Sequence, residues 1–127
     1  MDKHETQTTS ARGSDELRTG YANNVFIEES VWDLKILFGQ LEQHTGRAEV
    51  RWHSAMTLPW SQAKILSYLL DAFIATYETT NGEIHVPEAV RPPRPPDPPA
   101  DLDDGANSKW IEAAQAAYDR VFSKRRK

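Results

Sequence analysis

Two stretches of the chain alternate apolar and polar residues with a period of two, which is the pattern of a β-strand with one buried face. The first runs from Val31 to Gln40 and the second from Arg47 to Thr57. In the second stretch the alternation predicts that Trp52 and Met56 share a face, opposite the charged residues. In the first stretch the alternation predicts that Trp32, Leu34, Ile36 and Phe38 share one face.

Shorter signals extend this pattern into a small sheet. Residues 23–28 form a β-type run, and the turn at residues 42–46, with Gly46 as its breaker, predicts a hairpin between the two longer strands. Residues 83–86 could add a brief closing strand. An alternation of this kind is typical of an antiparallel sheet with one buried and one solvated face.

A helix is predicted to follow the strands. Pro59 fits the first helical turn, Thr57 is a plausible N-cap, and Asn81-Gly82 ends the helix by accepting a left-handed conformation. The fold class is therefore α+β: a sheet of three to four strands followed by one packing helix, in the order β-β-β-α. The predicted apolar stripe of this helix comprises Ile65, Leu66, Leu69, Leu70, Phe73, Ile74 and Tyr77.

The distribution of apolar residues divides the chain into four segments. Residues 1–18 are too polar to bury a core and are predicted to be a disordered arm. Residues 19–87 form the core domain. Residues 88–107 form a Pro-rich acidic linker, because six of the eight residues at 92–99 are Pro, which favours a stiff polyproline II spacer. Residues 108–127 form an amphipathic C-terminal helix with a basic end.

A C-terminal helix of about 15 residues is only marginally stable alone, so we expect it to dock on a surface. Ser108 is its predicted N-cap. We expect it to bind a protein partner across the spacer. Docking on its own sheet is the next alternative, followed by contact with an anionic membrane surface. The predicted partner-binding residues are Trp110, Ile111, Ala114, Tyr118, Val121 and Phe122.

A core domain of this size is marginally stable alone, which predicts self-association. Phe26, Val31 and Leu37 lie out of phase with the core-facing positions, and the sheet has at least one free edge. We therefore expect a homodimer or a tetramer. The alternative is a monomer whose N-terminal arm covers the free edge.

Composition removes several classes of chemistry. The chain has no Cys, which excludes disulfides, thiol nucleophiles and Cys-based metal sites. Its four His lack metal-ligand spacing, and no nucleophile motif or phosphate loop is present. We expect no catalytic residues, no metal and no cofactor. A polar N-terminus and the lack of an apolar run of about 20 residues lead us to expect a cytoplasmic protein without a membrane span.

Nucleic-acid binding is an unfavoured alternative. The net charge is −4, and residues 19–87 are acidic. Arg47 and Arg51 share a strand face, but Glu49 interrupts them. The C-terminal Lys124, Arg125 and Arg126 could add nonspecific contacts with phosphates.

The order of several short motifs resembles a family of small bacterial and archaeal proteins typed as a domain of unknown function. The motifs are Tyr21-Ala22-Asn23, Phe38-Gly39-Gln40, Gln62-Ala63-Lys64 and Tyr77-Glu78, within residues 20–86. Two departures are present. Leu37 stands where the family has Asp, and the spacing from Pro to Ala-Lys is one residue longer, through Trp60-Ser61-Gln62. The resemblance supports the fold and implies no chemistry.

A fainter similarity concerns the B-type bacterial export chaperone, which is tetrameric. It is carried by Leu58-Pro59-Trp60 and by Ile84-His85-Val86-Pro87. This similarity implies an oligomer that holds unfolded chains on apolar grooves, for which Phe26, Val31, Leu37 and Trp60 are the candidate residues. The leading hypothesis is a non-enzymatic, oligomeric interaction protein that recruits a protein partner, and the chaperone and the nucleic-acid regulator are its alternatives.

Overall fold

A computed structural model of the chain describes residue 13, residues 17–97 and residues 105–123. Within these ranges the chain forms three strands, two α-helices and a 3-10 turn, which confirms the predicted α+β class. The described residues fall into two compact units, one ending at Phe73 and the other beginning at Ile74. The elements are β1 (Asn24–Glu29), β2 (Asp33–His44), β3 (Arg47–Pro59), α1 (Trp60–Asn81), the 3-10 turn (Glu88–Val90) and α2 (Gly105–Phe122).

The three strands form one antiparallel sheet with β2 in the centre. The hairpin between β2 and β3 is tighter than predicted. Strand β2 continues to His44, which pairs with Arg47, so the connection consists of Thr45 and Gly46 alone. Gly46 has a φ of 87°, which favours glycine at that position. The predicted end of the strand at Gln40 was wrong, because cross-strand pairing outweighs the polar composition of the last three residues of β2.

A β-bulge in β3 changes which side chains share a face. Phe38 pairs with Ser54, but the next residue, Gly39, pairs with Trp52, so His53 is an extra residue in β3. The alternation of β3 therefore shifts by one position at the bulge. Trp52 and Met56, predicted on the same face, lie on opposite faces, since a count with a period of two fails wherever one strand carries an additional residue.

The sheet consequently has two apolar faces. We call the first the groove face, and it comprises Val25, Ile27, Leu34, Ile36, Phe38, Met56 and Leu58. The second, the Trp52 face, comprises Phe26, Leu37, Gly39, Leu41, Val50 and Trp52.

Helix α1 begins at Trp60, one residue later than predicted, because Pro59 is the last residue of β3 and pairs with Asp33. Thr57 is not its N-cap, because Thr57 is a β3 residue that pairs with Lys35. The predicted end at Gly82 is confirmed by its φ of 89° and by the hydrogen bond that its N–H donates to the Glu78 carbonyl.

The possible fourth strand at residues 83–86 does not form, since these residues have no regular secondary structure. The N–H of Ile84 instead donates to the Glu78 carboxylate at 2.8 Å. A side chain of α1 thus replaces the strand partner that this segment would need.

Apolar packing in the first unit is incomplete. Among the described residues no large hydrophobic side chain is buried, and Gly39 is the one residue that is buried. The expectation that α1 covers one face of the sheet is therefore met only in part. The pairing of strand backbones, rather than a closed core, positions the side chains considered below.

The second unit contains a Pro-rich segment that contacts α2. Arg94 donates two hydrogen bonds to the Asp119 carboxylate, each 3.0 Å long. The Gln115 amide donates to the Pro95 carbonyl at 3.0 Å and to Asp97 at 2.8 Å. These contacts join residues 94–97 to successive turns of the helix.

Helix α2 begins earlier than predicted. It starts at Gly105, so Ser108 lies inside the helix and is not its N-cap. Ala106 and Asn107 contain no strong breaker, and the helix extends through them. Over the described ranges, neither helix combines the length and apolarity that a bilayer crossing requires. The predicted arm at residues 1–18 and the linker residues 98–104 lie largely outside the described residues.

Candidate interaction surfaces

The first surface is an open apolar groove between the groove face and the start of α1. Its volume is about 340 Å³, and Gln62 is its one polar lining residue. The side chains of Met56 and Leu69 are 61% and 43% exposed. The groove is thus a partly formed core with room for further apolar groups. The lining residues are Ile36, Phe38, Met56, Leu58, Gln62, Ile65, Leu66 and Leu69.

The apolar stripe of α1 is wider than the part that lines this groove. Successive residues turn about 100° around a helix, so Leu70 lies beside the groove-lining positions, and Phe73 lies in line with them, one turn beyond Leu69. Leu70 is 53% and Phe73 is 73% exposed. The apolar stripe therefore continues, largely exposed, beside the groove and beyond it.

The second surface is the Trp52 face of the sheet. Phe26 pairs with Leu37 across the strands, and the rings of Phe26 and Trp52 are 6.2 Å apart. The Trp52 ring lies close over Gly39, where an added Cβ would be 2.7 Å from a ring atom. Phe26 and Trp52 remain 53% and 42% exposed. The absence of a side chain at position 39 is what permits this cluster.

A set of polar contacts fixes the bulge beneath that cluster. The Asn23 side-chain oxygen accepts from the Leu41 N–H at 2.8 Å, which extends the ladder between β1 and β2 by one hydrogen bond. One ring nitrogen of His53 lies 2.9 Å from the Tyr21 carbonyl, and the other lies 2.7 Å from the Ser54 hydroxyl. The extra residue of the bulge therefore anchors the segment that enters β1. Sequence reasoning missed this role of His53, because a bulge has no period-two signal.

The four candidate groove residues do not line one groove. Phe26 and Leu37 are direct cross-strand partners on the Trp52 face. Val31 lies in the turn between β1 and β2 and is 86% exposed. Trp60, at the start of α1, donates its indole N–H to the Ser30 carbonyl in that same turn at 3.0 Å.

The predicted partner-binding residues of α2 fall into two groups. Trp110 and Val121 are each 64% exposed. Both lie on one stripe with the half-buried Ala114 and Ala117 between them, because the spacings of four, three and four residues return to the same side of a helix. The half-buried group consists of Ile111, Ala114, Tyr118 and Phe122.

Two α2 residues that sequence reasoning missed hold the Pro-rich segment. The hydrogen bonds from Arg94 lower the pKa of the Asp119 carboxyl, and the Asp119 carboxylate raises the pKa of Arg94 through the same bonds. Gln115 supplies the neighbouring contacts. The Arg within a run of Pro was the available signal, because a guanidinium held on a stiff backbone is suited to bidentate recognition of a carboxylate.

The predicted nucleic-acid contacts are balanced by acidic neighbours. Arg51 forms an ion pair with Glu42 at 3.0 Å, and Arg47 forms one with Glu49 at 3.6 Å. The basic residues Lys124, Arg125 and Arg126 lie outside the described residues. In the described part of the chain, no three His, Asp or Glu side chains converge as metal ligands would.

Comparison with known proteins identifies the family of the chain but indicates no activity. No curated protein and no solved structure matches the chain. A family model matches residues 2–86, which includes the whole sheet, α1 and the motifs quoted above. The chain therefore belongs to the family described as Protein of unknown function (DUF3467).

Proposed function

We propose that this protein is a non-enzymatic, self-associating interaction module that recruits a protein partner through α2. The observation that carries the proposal is the exposure of Trp110 and Val121, each 64%, on a helix whose opposite side holds the Pro-rich segment. Contacts within the second unit thus take up one side of α2 and leave this edge open to another molecule.

The exposed edge suits recognition of a helix by an apolar groove. Trp110 and Val121 are separated by eleven residues, or about 16 Å along the axis, and the two Ala between them keep that side of α2 narrow. A helix of this kind binds by inserting large side chains into a complementary groove. Trp is also among the residue types that contribute most to binding energy at protein interfaces.

The test is affinity capture from lysate with the full-length chain and with a Trp110→Glu, Val121→Glu double variant. We expect the double variant to lose the captured protein and to keep its helix content by circular dichroism. The matched control is Ala116→Glu, which adds one charge to an exposed position on a different side of α2 and should capture the same protein. If all three forms capture the same proteins, α2 is not the recruiting element.

The open apolar surfaces of the first unit favour a chaperone-like holder as the second candidate function. The 340 Å³ groove and the cluster of Phe26 and Trp52 could each accept an unfolded segment. In that case the full-length chain should suppress aggregation of a chemically unfolded reporter enzyme at near-stoichiometric ratio, and Phe26→Glu should weaken the suppression. No suppression at a tenfold molar excess would remove this candidate.

A further inference from the structure

We propose that two copies of this chain pair through α1, antiparallel, about a two-fold axis that passes between Leu69 and Leu70 of each copy. In this arrangement Phe73 of each copy enters the groove of the other. The inference rests on the self-association part of the proposed function and specifies its interface. The occupant of the groove is therefore a second copy of the same chain.

Phe73 is the projecting group of this interface. Its side chain is 73% exposed, more than any other large apolar residue of α1. It lies one turn beyond Leu69, the last helical residue that lines the groove. The projecting ring and the cavity that would receive it thus occupy adjacent turns of one helix.

The symmetry follows from that adjacency. Antiparallel pairing centred between residues 69 and 70 places Leu66 opposite the second copy's Phe73, and Leu69 opposite the second copy's Leu70. Both contacts occur twice, because a two-fold interface uses the same patch on each subunit. Such an interface closes on itself and leaves no unmatched groove.

The charge distribution on α1 permits self-pairing. Between residues 60 and 73, Lys64 and Asp71 are the only charged residues. At about 100° per residue both lie on the side of the helix opposite Leu66 and Phe73. An uncharged stripe meets its own copy without like-charge repulsion.

The exposed area is sufficient for a small dimer. At roughly 180 Å² for a fully exposed large apolar side chain, the exposed fractions give about 500 Å² per copy, or about 1,000 Å² for the pair. This area is near the lower limit for a specific interface, before any contribution from the backbone or from polar side chains. The residues in this sum are Met56, Ile65, Leu69, Leu70 and Phe73.

The first experiment is sedimentation equilibrium of the full-length protein over a range of concentrations. We expect a dimer or a multiple of it, and we expect Phe73→Glu to raise the dimer dissociation constant by about 100-fold or more, because a buried unpaired carboxylate is strongly unfavourable. The matched control is Tyr68→Glu. Tyr68 is 69% exposed and lies on the far side of the same helix, so this variant should dimerise like the unmodified protein.

The second experiment does not depend on disrupting the interface. The chain has no Cys, so Leu70→Cys introduces a single thiol beside the proposed axis. A short bismaleimide reagent should link two copies of this variant efficiently at a concentration where the protein is dimeric. Tyr68→Cys, the matched control, should link at least tenfold less.

The outcomes separate the interface from self-association itself. A monomer at every concentration tested would overturn both. An oligomer that survives Phe73→Glu, with Leu70→Cys linking no better than Tyr68→Cys, would keep self-association and overturn the α1 interface. If Phe73→Glu fails to fold, the ratio of the two linking yields alone decides.

Discussion

The contacts within the first unit differ in kind from the contacts within the second unit. In the first, backbone pairing builds the sheet and both apolar faces stay open. In the second, the Pro-rich segment is bound to α2 by directional side-chain hydrogen bonds from Arg94 and Gln115. Exposed apolar surface favours association with another chain. Polar side chains that already hydrogen-bond to each other gain little from such association. This difference is the reason why we place the proposed self-association in the first unit.

The largest effect is expected at the point where the first unit is most tightly packed. Gly39→Ala would place a Cβ 2.7 Å from the Trp52 ring and 2.8 Å from the Arg51 carbonyl oxygen. The ring can move, but the backbone oxygen cannot move without opening the bulge. We expect the free energy of unfolding in urea to fall by about 1–3 kcal/mol, measured at matched protein concentration.

Gly20→Ala is the control for that prediction. A Cβ at position 20 would meet the His53 ring at 3.8 Å, which is an ordinary contact. This variant should unfold within about 0.5 kcal/mol of the unmodified protein. Equal stability of the two alanine variants would show that the bulge accommodates the added methyl group without loss of stability, and that the first unit is not tightly packed at Gly39.

Much of the fold could be predicted from the sequence because its signals are local. Alternation identified the two longer strands, Pro59 marked the start of α1 to within one residue, Gly46 the hairpin turn and Gly82 the end of α1. The C-terminal end of β2 was missed because cross-strand pairing continues the strand past its last apolar residue. The start of α2 was missed because the helix extends N-terminal to the predicted cap at Ser108. The bulge at His53 was missed because an additional residue has no periodic signature.

The interaction surfaces could be predicted only in part. Phe26 and Leu37 were identified as candidate interface residues because they are out of phase with the core-facing positions. In the structure they are cross-strand partners on the Trp52 face. The roles of Gln115 and Asp119 depend on a contact with residues about twenty positions away, which spacing along one helix does not reveal. The exposure of Phe73 was also missed. An apolar stripe predicts that its side chains are buried, but it does not show whether the same chain or another chain covers them.

Asn23→Ala should have an intermediate effect on the first unit. It removes the acceptor of the Leu41 N–H and ends the ladder between β1 and β2 one hydrogen bond earlier. We expect a loss of about 1 kcal/mol in urea unfolding and faster amide exchange at Leu41. Asn23→Asp keeps an acceptor oxygen and should protect Leu41 as before. Equal exchange in all three forms would mean that this hydrogen bond does not persist in solution.

Trp60→Phe tests the link between α1 and the turn that precedes β2. The indole N–H donates to the Ser30 carbonyl at 3.0 Å, and phenylalanine keeps an aromatic ring without that donor. We expect a loss of about 0.5–1 kcal/mol in urea unfolding. Trp32→Phe is the control at a site 83% exposed, and it should leave stability unchanged. If both variants lose the same stability, ring size rather than the hydrogen bond is responsible.

The smallest effect on global stability is expected in the second unit, where it should appear as a pH dependence. The pKa of Asp119 is lowered in the folded chain by its hydrogen bonds from Arg94. Its contribution to stability is therefore fully present above the ordinary carboxyl value of about 3.9 and is lost as the pH falls through the lowered value. NMR titration of the Asp119 carboxyl should give a midpoint below that of free aspartate, with the Arg94 Nε resonance moving in parallel.

Asp119→Asn separates this contact from general acid unfolding. It removes the charge and half of the bidentate acceptor, so the Arg94 resonance should no longer follow an acidic titration, and far-UV circular dichroism at neutral pH should remain unchanged. Because both side chains are about half exposed, added salt should weaken the contact in the unmodified protein and have no corresponding effect in the variant. An Asp119 midpoint at or above the ordinary value would mean that the Pro-rich segment is not held on α2 by this pair. Among the described residues, Gln115 would then supply the remaining polar contacts between that segment and α2.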